Sequence, residues 1–164
     1  MNATHIVFTS NTGFTARYAA MLSEKLAIPA LPLEEAMKSL PAGTPVIHMG
    51  WLMAGSVVGC KKARKRFALA AVIGVGLGDT GAQDDAARKA CKLPADVPVF
   101  TVQGGMDHQK LKGGFKVGIT ILTKVMAAKK NRTPDEDKML ALLQKGGDYV
   151  SEGELAAVLA WAEK

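Results

Sequence analysis

Apolar residues along this chain keep two rhythms. His5-Ile6-Val7-Phe8, Pro45 to Met49, Phe67 to Val75 and Asp96 to Val102 are short, dense runs rich in β-branched residues. Runs of that length predict buried strands. Ile28 to Leu33 predicts a further short strand, placed at a sheet edge by Pro29 and Pro32. Between them the period lengthens. Ala19, Leu22 and Leu26 mark a helix over Ala16 to Leu26, and Glu34 to Leu40 supplies one or two turns before Pro41-Ala42-Gly43. Val57 to Arg66 predicts a short basic helix, and Ala82 to Lys92 another.

Strands and helices in strict alternation predict an α/β fold: a doubly wound, five-stranded parallel sheet with helices on both faces. Right-handed crossovers then gather the loops after the first, third and fourth strands at the carboxyl edge. Three glycine-bearing loops fall there: Ser10 to Thr15, Gly50 to Ser56 and Gly76 to Gly81. The last third predicts only helices. Phe115, Ile119, Leu122 and Met126 recur at four-three-four spacing, which marks one long amphipathic helix with its methionine in the core. Thr133-Pro134-Asp135-Glu136 is a capping box with proline at the first helical position, and Gly146-Gly147 ends the helix it starts. Ser151 to Glu154 begins the last helix, with Leu155, Val158, Leu159 and Ala162 on its buried side. No internal repeat stands out, and residues 1–164 are expected to form one domain.

Composition narrows the chemistry. The longest apolar stretch, Phe67 to Gly78, is too short to span a bilayer, and Met1 to His5 carries no signal-peptide pattern. Cys60 and Cys91 lack CxxC spacing, so reduced, buried thiols in a cytoplasmic protein are expected. His5, His48 and His108 are scattered and make no metal-ligand cluster. The net charge of +6 is partly concentrated, in Lys61-Lys62-Ala63-Arg64-Lys65-Arg66 and between Lys110 and Arg132. A solvated helix face is the commoner meaning of such a run; the other is a landing surface for an acidic partner, an anionic membrane or nucleic acid. No aromatic residue lies within Lys61 to Arg66 and Phe115 alone lies within the second set, which argues against a base-stacking nucleic-acid platform.

The most distinctive stretch is Thr9-Ser10-Asn11-Thr12-Gly13-Phe14-Thr15, set between the first strand and the first helix. A helix start has unpaired N–H groups and a partial positive charge, Gly13 lets the backbone approach, and four hydroxyls can donate. No Lys or Arg precedes Phe14, so a phosphate monoester is expected to be held by neutral donors. The turn lacks the lysine of the nucleotide-hydrolase loop and the glycines of the dinucleotide fingerprint.

Ser10-Asn11-Thr12-Gly13-Phe14-Thr15 resembles the flavodoxin family's phosphate loop, S/T-x-T-G-x-T, and Gly76-Leu77-Gly78-Asp79 resembles its loop after the fourth strand. The chain is similar to the subgroup that includes the flavodoxin-like protoporphyrinogen oxidases. There the fifth strand leads into a turn like Gly104-Gly105-Met106-Asp107-His108-Gln109-Lys110-Leu111, followed by a long helix and a tail like Thr133 to Lys164 with Gly147-Asp148-Tyr149-Val150. The resemblance implies strand order 2-1-3-4-5, an FMN cofactor and an electron-carrying role. It assigns the phosphate to Ser10, Asn11, Thr12, Gly13 and Thr15, with Phe14 in the same turn. Trp51, Leu52, Met53, Ala54 and Gly55, together with Gly76, Leu77, Gly78 and Asp79, would flank the isoalloxazine. Position 53 is usually aromatic in this subgroup and is Met here, with Trp51 two residues earlier. The subgroup's activity also raises an FMN-dependent dehydrogenase of a carboxylated substrate, and the basic helix a flavin-free interaction module. A redox partner of acidic character is implied, with peripheral membrane contact as a further use of the basic surface. No acid–base or nucleophilic set stands out; Asp79 and His108 are the polar residues expected near the flavin edge, in structural roles.

Overall fold

The computed structural model describes residues 2–111 and 113–163. Met1, Lys112 and Lys164, which the expected leader-free start, second basic set and family-like tail include, lie outside the described residues.

The parallel strands are β1 (His5–Thr9), β2 (Ala30–Pro32), β3 (Pro45–Met53), β5 (Ala68–Gly76) and β6 (Val99–Gln103). They lie in the order β2-β1-β3-β5-β6, and β4 (Ser56–Val57) pairs antiparallel with the end of β3. Counting only the parallel strands, this is the flavodoxin-like order 2-1-3-4-5. The proline-bearing β2 is an edge strand, as expected from the ladder N–H that proline lacks.

Side-chain alternation divides the core. Ile6, Ile47, Met49, Ile73, Val75 and Val102 face α1 (Phe14–Leu26) and α7 (Ala156–Ala162), whose Tyr18, Leu22 and Val158 are fully buried there. On the other face Val7 and Val46 meet α2 (Leu33–Ser39) and α3 (Cys60–Arg66) through Leu33, Ala36 and Ala63. Val72 and Val99 meet α4 (Asp84–Cys91) through Ala87 and Cys91. Because β3 and β5 are covered on both faces, their runs read as continuous apolar sequence.

Beyond the carboxyl edge, α5 (Gly113–Ala128) and α6 (Pro134–Lys145) form a separate helical pair. Thr133 and Glu136 complete the expected capping box, and α6 ends at Gly146. A short ribbon, β7 (Gly105–Met106) with β8 (Gly147–Asp148), ties this pair to the sheet. At the last helix the start differs from expectation. Ser151 makes no side-chain cap, and one 3-10 turn, Glu152–Leu155, precedes α7.

Two boundaries also shift. The stretch Gly50 to Ser56, expected as a loop, is the end of β3 and a two-residue hairpin turn into β4; the basic helix accordingly starts at Cys60 rather than Val57. Ala54 and Gly55 make the turn with φ of +49° and +77°. The sign suits Gly55 and strains the exposed Ala54, which lacks a side chain able to bond locally in the left-handed region. Ala54→Asn is therefore expected to stabilise the protein by about 0.5–1 kcal/mol, read as a higher denaturant midpoint at unchanged slope. A lower midpoint would show that the turn is not held in that conformation.

Candidate functional site

Parallel pairing sets the ends of β1, β3, β5 and β6 side by side: Thr9 opposite Gly50, Trp51 opposite Val75, Gly76 opposite Gln103. Above that edge opens a cleft. Asn11, Thr12, Phe14 and Thr15 form one end, Trp51, Leu52, Gly76 and Leu77 the floor, and Met106, Leu111, Phe115 and Ile119 the far wall and roof. Among the described residues, none of those lining it is charged.

The polar end is built by the start of α1. Gly13 takes φ +99°, outside the range an L side chain adopts comfortably, and turns the chain from β1 into the helix. The first turn of α1 holds no acidic residue. Ser10 Oγ accepts a hydrogen bond from the Ala16 N–H at 3.3 Å. Among the described residues, the amides of Phe14 and Thr15 and the hydroxyls of Thr12 and Thr15 have no partner. Four donors thus gather where the helix dipole is positive.

The floor is shaped by close approach. Leu52 lies over Gly74 and Gly76, where an added Cβ would stand 2.9 and 2.7 Å from its methyl carbons. Trp51 meets the Phe115 ring edge-on, centroids 4.8 Å apart and planes at 76°. Helix α5 therefore roofs the cleft through Phe115 and Ile119, a contact between distant segments that no local pattern announces.

Of the residues assigned by resemblance, Asn11, Thr12, Phe14, Thr15, Trp51, Leu52, Gly76 and Leu77 meet in this one cleft. Ser10 and Gly13 shape the turn behind it. Met53 does not join them. β3 pairs with β5 only as far as Trp51, so Met53 overhangs that edge, 52% exposed, with Lys61, Lys62 and Lys65 alongside. Ala54 and Gly55 form the hairpin tip. Gly78 and Asp79 line a neighbouring depression with Gln83, Lys138 and Tyr149, where Asp79 sits 3.7 Å from the Lys138 ammonium. His108 is exposed on a groove at the other side of the Thr12–Phe14 turn, with Arg17, Lys110 and Lys145. Sequence inspection missed Val75, Gly105, Met106, Leu111, Phe115 and Ile119 as lining residues. The apolar face of α5 was the signal available, without any indication of what it covers.

The remaining candidate chemistry is structural. No cluster of three or more potential metal ligands occurs among the described residues. Cys60 and Cys91 are free, buried neighbours in one apolar cluster, and burial, reinforced by the adjacent Cys91, pushes the Cys60 thiol up to about 12. Such a thiol is a poor nucleophile. In the basic helix Lys62 pairs with Glu34, Arg64 bonds the Lys92 carbonyl and Arg66 the Leu40 carbonyl at 2.8 Å. Three of its five cations thus serve the fold.

No protein-family model, curated protein or solved structure matches the chain.

Proposed function

We propose that the cleft binds FMN and that the protein carries electrons between redox partners. One observation carries this: a single cleft joins unpaired amides and hydroxyls at the start of α1 to an uncharged, mostly apolar slot. The donors at Thr12, Phe14 and Thr15 suit a phosphate monoester, and the slot bounded by Trp51, Leu77 and Met106 suits a flat aromatic ring. When bound, the flavin supplies one- and two-electron chemistry; the chain binds, orients and tunes it. Apolar walls keep water from the ring, and Trp51 and Phe115 are the aromatic surfaces available to stack on it. A basic chain suits an acidic redox partner, and two free thiols suit a reducing cytoplasm.

The test is direct. Purified protein mixed with FMN and desalted is expected to emerge yellow, with structured visible bands and quenched flavin fluorescence. A colourless protein that leaves flavin emission unchanged at micromolar concentrations would remove the proposal and leave a flavin-free interaction module. A dehydrogenase of a carboxylated substrate is the second candidate, favoured by His108 and Lys145 on the groove beside the turn, where Arg17 and Lys110 already pair with Asp148 and Asp107. Steady-state turnover of porphyrinogens with a quinone acceptor would select it over a carrier.

A further inference from the structure

Helix α5 is apolar around most of its circumference. Phe115, Ile119 and Met126 turn toward Met106, Leu111 and Leu143. The row on the open side is also apolar: Val117, Ile121 and Val125 are 58%, 57% and 63% exposed, with Leu122 at 44%. A helix that merely covers a protein core carries charged residues there. The next row along the helix is Lys116, Thr120 and Lys124, all exposed.

The charge is as one-sided as the hydrophobicity. Between Asp107 and Asp135 the sequence holds no acidic residue, while lysine and arginine recur throughout. Lys129 and Arg132 are spent on Glu136 and Asp137 of α6. Lys116, Lys124 and Lys130 have no acidic partner among the described residues. No helix among the described residues is long and apolar enough to cross a membrane.

We propose that α5 lies in the surface of an anionic bilayer, with Val117, Ile121 and Val125 entering the acyl boundary and Lys116 and Lys124 meeting lipid phosphates. An apolar row flanked by unpaired cations is what an in-plane interfacial helix requires. A second copy fits the same face poorly. Two α5 helices laid together would bring their lysine rows into one interface with no carboxylate on the segment to pair them. Neither the cleft nor a cofactor is needed for this docking.

The whole protein, without added FMN, is mixed with vesicles of phosphatidylcholine alone or with roughly a third phosphatidylglycerol, and sedimented. Binding is expected on the anionic vesicles and to be roughly tenfold or more weaker on the neutral ones. Val117→Ser, Ile121→Ser and Val125→Ser together should cost at least about tenfold in binding, with circular dichroism and thermal midpoint unchanged. Lys116→Gln with Lys124→Gln should weaken binding and flatten its salt dependence. Ile121→Trp, which keeps the row apolar, should show blue-shifted emission on anionic vesicles. Equal binding to both vesicle types, undiminished binding of the triple variant, or an unshifted Ile121→Trp spectrum would each overturn the proposal. So would a lipid-free dimer that the triple variant dissolves, which would assign the face to self-association.

Discussion

Thr12→Asp is expected to move stability and flavin affinity in opposite directions. Thr12 immediately precedes Gly13 at the start of α1, is half-buried at the end of the cleft, and has no hydrogen-bond partner among the described residues. A carboxylate placed there faces the positive end of the helix dipole, which should raise stability by about 0.5 kcal/mol. The same carboxylate would stand against a phosphate monoester carrying nearly two negative charges. At an effective dielectric constant of about 20, that repulsion is worth several kcal/mol at contact distance, so FMN affinity should fall at least about a hundredfold, or 2.7 kcal/mol. Thr12→Asn keeps the size and polarity without the charge and should lose far less. Fluorescence titration and thermal melting on the same samples separate the two effects. Equal FMN affinity in Thr12→Asp and wild type would place the phosphate elsewhere, even if the protein still turned yellow.

The polar end of the cleft was legible because it is local. Strand, hydroxyl-rich turn and helix are consecutive, and the unpaired amides follow from helix geometry alone. The edge place of β2 was legible from its prolines and the burial of β3 and β5 from their unbroken apolar runs, while the full strand order came with the family resemblance. The hairpin was not. Its turn is Ala54-Gly55 rather than Asn-Gly or Asp-Gly, so the sequence lacked the strong signal for a two-residue reversal. As a result β3 was ended too early, and Met53 was grouped with Trp51, although only Trp51 of the two pairs with β5. The four-three-four spacing of α5 identified Phe115, Ile119 and Met126 as inward, but counted Leu122 with them. That residue is 44% exposed because α5 packs against the cleft mouth and α6, not against a broad sheet face. The neighbouring Cys60 and Cys91 were hidden for the same reason as the roof: they meet only once α3 and α4 both cover the sheet.

His48 should make the protein acid-sensitive in a definite window. It is fully buried in β3, its Nε2–H donates to the Val58 carbonyl at 3.1 Å, and its Nδ1 has no partner among the described residues. Burial favours the neutral ring and lowers its pKa from 6.5 to about 4. The unfolded chain then binds a proton before the folded one does. The histidine's contribution is complete above pH 6.5 and is lost as pH falls toward the folded value of about 4. Between about pH 7.5 and about pH 4.5 the loss comes to about 2.5 kcal/mol, a large share of a small domain's stability. The same event reaches the cleft. The Val58 carbonyl also accepts the Thr9 hydroxyl at 2.6 Å, and the Val58 N–H donates to the Trp51 carbonyl at 3.0 Å, so protonation of His48 acts on the segment that fixes the floor. His48→Gln keeps a donor within the core but does not titrate. Denaturant unfolding at both pH values should show a steeper acid loss for wild type than for His48→Gln, with the difference near 2.5 kcal/mol, even if the variant is less stable at neutral pH. Parallel curves for the two proteins would mean that the buried imidazole contributes nothing to acid unfolding, and that other groups must account for whatever loss is seen.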